Sequence, residues 1–242
     1  MEKDEELVRI QKLISELGYS SRREAEKLIL AKKVKVDGIL AQIGQKVLRT
    51  CKIEINGKEL KNFVKPIYIV LNKPAKTICS LKDPEKRKTI YDHIRIKDYC
   101  YSIGRLDWDT TGIILITNDG KLASFLSHPS SEIERKYLVK TDESLTLDEI
   151  MFLNSNKVIL EGKKSTQKIV CVGQNNYEVI LKEGRNHHVK KLFELVNKPV
   201  KTLHRKSFSF ISDKGLKVGE FRNLTNDEIR RLKNLKIIKK SA

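Results

Sequence analysis

Residues 61–66 read Lys-Asn-Phe-Val-Lys-Pro, and the pattern of apolar residues changes across this short stretch. Before it, Leu7, Ile10, Leu13, Ile14 and Leu17 recur at helical spacing, and Gly18 ends the run. Ser20 or Ser21 can cap a second helix, with Glu24 placed to complete a capping box from Ser21. Ala25, Leu28, Ile29 and Leu30 continue that helix. Val34-Lys35-Val36 then reads as a strand entering an Asp37-Gly38 turn, and residues 51–57 as a second strand ending at Asn56-Gly57. Beyond the stretch, Ile67–Leu71 is a strand that stops at Asn72-Lys73-Pro74. Strand-like runs at 113–117, 136–140, 168–172 and 177–182 alternate with helical stretches at 121–127, 145–154, 187–197 and 226–236. This mixture predicts an α+β chain in two parts. A small N-terminal α/β domain spans 1–61, and a large domain with a mixed, mostly antiparallel sheet flanked by helices spans 62–242. The 242 residues suffice for both.

Charge narrows the choice of partner. Forty-nine Lys and Arg against 31 Asp and Glu give a net charge of +18. Such a field suits a polyanion, because contacts to phosphates release counterions and steer association. The excess is local: 182–206 carries Lys182, Arg185, Lys190, Lys191, Lys198, Lys201, Arg205 and Lys206 against Glu183 and Glu194. No run approaches the 18 or so apolar residues of a spanning helix, and the acidic opening Met1–Glu6 is neither a signal nor a transit peptide. A cytosolic protein with no membrane partner is expected. Cys51, Cys79, Cys100 and Cys171 lack C-x-x-C spacing and read as reduced thiols; no metal site is expected. Neither a P-loop nor a G-x-G-x-x-G run is present, and no cofactor is expected.

The stretch richest in chemistry is Gly104-Arg105-Leu106-Asp107-Trp108-Asp109-Thr110-Thr111-Gly112, followed by apolar Ile113–Ile116 and then Thr117-Asn118-Asp119-Gly120. A polar loop here presents two carboxylates, an arginine and two hydroxyls ahead of a buried strand. Leu106 and Trp108 can desolvate Asp107 in part and so raise its reactivity. On physical grounds alone, an Asp in such a loop also reads as an Asx-turn former.

The words of this stretch resemble the G-R-L-D-x-x-T-x-G…T-N-D-G signature of the ribosomal pseudouridine synthases of the RsuA and RluB group. The resemblance implies the pseudouridine synthase fold and makes Asp107 the catalytic residue, with Arg105 helping to hold an extruded nucleotide. Further landmarks fall in order. "LNKPAK" at 71–76 is similar to the family's L-N-K-P-x-G opening, with Lys76 in place of glycine and Lys73 on the RNA side. "ERKYLV" at 134–139 resembles K-x-Y-x-V, which makes Tyr137 the residue that contacts the base. "KEGRNHHVKKLFELV" at 182–196 resembles E-G-R-N-x-Q-V-R-[RK]-M-F, with His188 where glutamine is usual and Lys190 where an arginine pairs with the aspartate. A lysine keeps that charge without the bidentate fork. Arg185 and Lys191 in the same element are expected to face RNA. His187 and His188, adjacent on a helix and so pointing different ways, are read as helix or RNA-facing residues. "GEFRNLTNDEIRRL" at 219–232 is similar to the family's closing segment.

The N-terminal words "LGYSSRREAEKLILAKKVKVDG" resemble the RNA-binding domain of the ribosomal protein S-four type, over about residues 6–60. Arg22, Arg23 and Lys27, which alone read as a solvated helix face, become candidate RNA contacts by that resemblance. The implied activity is isomerisation of a uridine in ribosomal RNA, more readily of the large subunit, by a monomer acting on RNA or on an assembling subunit. Asp107 would attack the sugar or act as a base that generates a glycal; both routes stay open. The rival reading is a non-catalytic ribosome-associated RNA-binding protein, which leaves 104–120 unexplained. An RNA methyltransferase would need a Gly-rich nucleotide loop after an early strand, which Asn72-Lys73-Pro74 is not.

Overall fold

The computed structural model describes residues 6–60, 65–81, 83–94, 96 and 98–238. The chain divides into two compact units. One comprises Met1–Ile67 with Ile96–Tyr101 and Asn118–Gly120; the other comprises Tyr68–Arg95, Ser102–Thr117 and Lys121–Ala242. The inclusion of Asn118 in the first has a local cause. Its side chain clips the chain at 65–67, accepting from Ile67 N (2.9 Å) and donating to Lys65 O (2.9 Å).

In the first unit the helices are α1 (Ile10–Glu16) and α2 (Arg22–Leu30). The expected first helix begins later than its apolar pattern, because Val8–Arg9 is extended and pairs with Lys46–Val47. Ser21 is the cap of α2, accepting from Glu24 N at 3.1 Å. Four short strands follow: β1 (Val34–Val36), β2 (Ile39–Leu40), β3 (Ile53–Ile55) and β4 (Lys58–Glu59), in the order β2-β1-β3-β4. Two hairpin turns fall on Asp37-Gly38 and Asn56-Gly57, where both residues take positive φ as a type I′ turn requires. Ile10, Leu13, Ile14, Ala25, Ile29, Val34 and Ile53 close a small core.

The second unit is built on one sheet. Its main strands are β5 (Tyr68–Lys73), β6 (Thr111–Thr117), β7 (Arg135–Thr141), β8 (Gln167–Gly173), β9 (Asn176–Leu181), β10 (Val200–Phe208) and β11 (Phe221–Asn223), ordered β8-β9-β7-β10-β6-β5-β11. Every neighbouring pair on this path is antiparallel except β10 and β6, which run parallel. Helices α3 (Gly120–Ser127), α4 (Leu147–Leu153), α5 (His188–Glu194) and α6 (Asn226–Ile238) complete the α+β arrangement. Central strand β10 is absent from the strand-like runs seen in the sequence. Leu203, Arg205, Ser207 and Phe208 are buried, whereas Lys201 and Lys206 are exposed. With an arginine among the inward positions, the alternation reads as a basic stretch rather than as a strand.

The parallel contact is tight. Gly112 pairs with Arg205, and a side chain at 112 would place its Cβ 2.3 Å from the Arg205 carbonyl oxygen. Gly112 also takes φ +114°, a conformation L-residues rarely adopt. Glycine here lets β6 approach β10 closely, so that the loop before β6 and Arg205 line one cavity.

Candidate active site

The loop leading into β6 is pinned from beneath. Lys73, at the end of β5, is fully buried, and its ammonium donates to the carbonyls of Pro74 (2.9 Å) and Trp108 (3.4 Å). The Leu106 amide donates to Cys79 Sγ at 3.4 Å, and the Thr77 amide donates to Trp108 O. Lys73 was expected on the RNA side; a buried ammonium committed to two carbonyls offers no surface to a phosphate, and that expectation is corrected. Burial lowers its pKa to about 8, against the raising effect of Cys79, Asp109 and Asp107.

Asp107 sits near the crest of this loop with its side chain 28% exposed. Lys190 Nζ lies 3.5 Å from one carboxylate oxygen, and His187 Nε2 lies 3.5 Å from the other. The lysine does not belong to Asp107 alone. It hydrogen-bonds both oxygens of Asp109 at 2.8 and 2.9 Å. A compact ammonium can stand between two carboxylates, where a planar guanidinium would commit its fork to one. Burial pushes the Asp109 carboxyl up, yet its bond to Lys190, with the charges of Lys190 and Lys73, holds it below the usual value. Trp108, expected to shield Asp107, is itself 46% exposed and contributes mainly its carbonyl.

Asp107 lies between two hollows of different size. On one side is a cavity of about 120 Å³ whose lining includes Asp107, Tyr137, Arg135, Arg205, His188 and Leu203. That is well below the few hundred cubic ångströms of a pocket for a whole small ligand and suits a single flat ring. On the other side is an open trough of about 600 Å³, lined in part by Ile78, Arg87, Arg105, Trp108 and His187. Tyr137, on β7, is almost wholly buried and is the cross-strand partner of Arg205 on β10. Arg105 is exposed beside both hollows and has no hydrogen-bond partner among the described residues.

Two further cavity residues carry charge that the sequence did not single out. Arg135 donates to Ile133 O (2.7 Å) and Lys182 O (3.2 Å), and Arg205 Nε donates to Ile113 O (2.6 Å). Both are buried, and both guanidiniums rest against the Phe208 ring, at 5.1 and 5.5 Å from its centroid. Arg135 was visible only as a letter in "ERKYLV", and Arg205 only as one cation in a basic run. No local pattern marks a cation that will be buried.

The remaining expected residues divide. His188 is buried rather than facing RNA, because its ring packs at the start of α5 with Nε2 2.7 Å from Ser165 Oγ. Burial lowers its pKa to about 4. Arg185 spends its guanidinium on the carbonyls of Leu160, Lys163 and Lys164 and on Glu183. It therefore fastens a neighbouring hairpin while lining both hollows beside Asp107. Lys191 is paired with Glu161. Arg22, Arg23 and Lys27 are exposed on α2 in the other unit. Among the described residues no group of three or more His, Cys, Asp or Glu could hold a metal ion. No described helix is long and apolar enough to cross a membrane.

A carboxylate thus stands at the mouth of a ring-sized hole with an aromatic side chain and two guanidiniums in its walls. Comparison with known proteins defines the class. Residues 67–195 match the family described as RNA pseudouridylate synthase, and residues 8–50 match the S4 domain. The chain belongs to the RNA pseudouridylate synthases and is an isomerase of uridine in RNA. Among its relatives is the ribosomal large subunit pseudouridine synthase B of Bacillus subtilis, 35% identical over 235 residues, which cover 94% of this chain and 96% of that one. An RNA pseudouridine synthase of Aquifex aeolicus is also 35% identical, over 93% of each chain. A crystal structure of a pseudouridylate synthase, 29% identical, superposes with a TM-score of 0.67 over 93% of this chain and 99% of the other. The fold is therefore that of this family.

Proposed function

We propose that this chain converts a specific uridine of large-subunit ribosomal RNA to pseudouridine, with Asp107 as the catalytic carboxylate and Tyr137 and Lys190 completing the site. The N-terminal part, residues 1–61, would hold RNA through Arg22, Arg23 and Lys27, and residues 62–242 would carry the chemistry. The substrate would be ribosomal RNA or an assembling subunit, and the enzyme would act as a monomer. The observation that carries this reading is the position of Asp107 between a ring-sized cavity and a larger trough. A uracil seated in the first leaves its ribose and phosphates in the second, with the anomeric carbon beside the carboxylate.

The reaction breaks the bond between C1′ and N1, turns the base, and forms a bond from C1′ to C5. The C5 proton leaves and N1 gains one, so atoms and electrons balance without an external reactant. Extruding the nucleotide costs a few kcal/mol, offset by cavity contacts and phosphate binding. Lys190 places positive charge 3.5 Å from the Asp107 carboxylate, whether that group attacks C1′ or removes a proton to give a glycal. Tyr137 forms a wall against which the freed base turns without escaping. Arg105, exposed beside both hollows, supports the flipped sugar and phosphate.

The test is Asp107→Asn, assayed by release of tritium from C5 of a labelled large-subunit RNA and by chemical mapping of pseudouridine. RNA affinity should stay within about twofold while turnover falls by roughly 10⁴-fold or more. Turnover near that of the native protein would overturn the assignment of Asp107.

A further inference from the structure

Buried polar atoms without partners are few in folded proteins, and each calls for a reason. Of seven such side-chain atoms among the described residues, three share one place. Thr110 Oγ1, His188 Nδ1 and Arg205 Nη2 have no hydrogen-bond partner among the described residues, and all three residues line the 120 Å³ cavity. The arginine is the most demanding of them. Arg205 is 2% exposed, and neither it nor Arg135 forms an ion pair with a carboxylate among the described residues. The two guanidiniums share the Phe208 ring and lie close enough for their like charges to oppose each other. With Glu183 acting on Arg135 only at a distance and no direct ion pair on either guanidinium, such buried cations gain when a negative charge enters the cavity.

We propose that Arg205, backed by Arg135, is a catalytic residue that stabilises the negative charge of the departing uracil. The inference rests on the reading of this site as a pseudouridine synthase. Whichever route Asp107 takes, the C1′–N1 bond breaks with its electron pair on the base, and the charge spreads from N1 onto the ring carbonyl oxygens. The Arg205 guanidinium, in the cavity wall, donates to one of those oxygens as the charge develops, its partnerless Nη2 lying just behind the accessible surface. The same pair of electrons then forms the C5–C1′ bond, the C5 proton is lost, N1 is protonated, and the ring becomes neutral again. The donor is held in advance by its Nε bond to Ile113 O and by the close approach of Gly112, so little reorganisation is needed at the moment of cleavage. The charge also has a steering effect after cleavage, since a uracil anion between two cations has a reason to stay and turn.

The experiment compares uridine with 5-fluorouridine at the target position in single-turnover reactions of Arg205→Gln and of the native protein. Fluorine acidifies the base, so a better leaving group needs less help. With uridine, Arg205→Gln should slow consumption of the target nucleotide by about 10²–10³-fold, with RNA affinity unchanged within about twofold. With 5-fluorouridine the same variant should lose at least about tenfold less. Equal losses on the two substrates, or a loss of RNA affinity that accounts for the rate, would overturn the role. Should Arg205→Gln fail to fold by thermal unfolding, the same substrate comparison is read on Arg205→Lys, which keeps the charge but loses the planar donor. Asp107→Asn serves as the control: activity there would overturn the reading of the site itself, whereas an inactive Asp107→Asn with equal losses at Arg205 overturns only this inference.

Discussion

The two units treat positive charge in opposite ways. In the N-terminal unit the core is built of apolar side chains around Ile10, Ile14, Ala25 and Ile53, with Gln11 and Ser15 buried at its side, and Arg22, Arg23 and Lys27 stand in solvent. In the second unit Lys73, Arg135 and Arg205 are buried within or beneath the site. Exposed cations act through a screened field that reaches any phosphate and reads no chemistry. Buried cations act at one place, at low local dielectric, on whatever charge appears beside them. The difference separates holding RNA from changing it. It also separates what a substitution should cost, since a surface cation is cheap to remove and a buried one is part of a packed arrangement.

The comparison breaks most sharply at a glycine. Gly112→Ala would push a Cβ to within 2.3–2.8 Å of the Arg205 backbone, at a φ that alanine disfavours. Overpacking and a left-handed conformation together suggest a loss of about 3–5 kcal/mol, with β6 and the Asp107 loop displaced. Gly38→Ala in the other unit shares the positive φ, at +84°, but nothing lies within 4 Å of its Cβ. It should cost about 1–2 kcal/mol and leave turnover intact. Urea unfolding and single-turnover rates of the two variants decide this; equal effects would mean that the β6–β10 approach does not set the site.

A smaller effect comes from His188, whose burial lowers its pKa from about 6.5 to about 4. The folded value lies below the unfolded one, so the unfolded chain binds more protons between pH 4 and 6.5. Stability should therefore fall as pH drops through that window, by at most about 3 kcal/mol from this group. His188→Gln can keep a hydrogen bond to Ser165 and cannot titrate. Its stability curve should be flatter than that of the native protein between pH 6.5 and 4, measured by denaturant titration at each pH. Parallel curves would show that the imidazole is not held neutral by the fold.

Much of this arrangement is legible in the letters, and the exceptions share a physical cause. The turns at Asp37-Gly38 and Asn56-Gly57, the cap at Ser21 and the strand after Asp107 are local: backbone preference and periodicity within a few residues decide them. Asp107 stands out because loop, strand and turn follow each other in sequence. Arg205 and β10 do not stand out, because an arginine on an inward face looks like a polar residue until partner strands cover it. Lys73 misleads for the same reason, since burial of its ammonium depends on carbonyls at Pro74 and Trp108, the latter 35 residues away. The sharing of Lys190 between Asp107 and Asp109 follows from the spatial meeting of α5 and the loop, which no spacing encodes.

The smallest effect expected on the fold is also the one that tests the other side of the comparison. Replacing Arg22, Arg23 and Lys27 together by alanine removes three exposed cations from α2 and no buried contact. Stability should change by no more than about 0.5 kcal/mol per site. RNA affinity should drop, and the slope of log affinity against log salt should become shallower by about two to three units if each cation neutralises one phosphate. The single-turnover rate on saturating RNA should stay as it was, because none of the three lies in the unit that holds Asp107. Fluorescence titrations between 50 and 200 mM salt, roughly the range over which such contacts weaken, give the slope. An unchanged slope would remove these cations from the RNA interface. A lowered rate at saturation would mean that the N-terminal surface does more than hold, and that the division between gripping and reacting does not follow the two units.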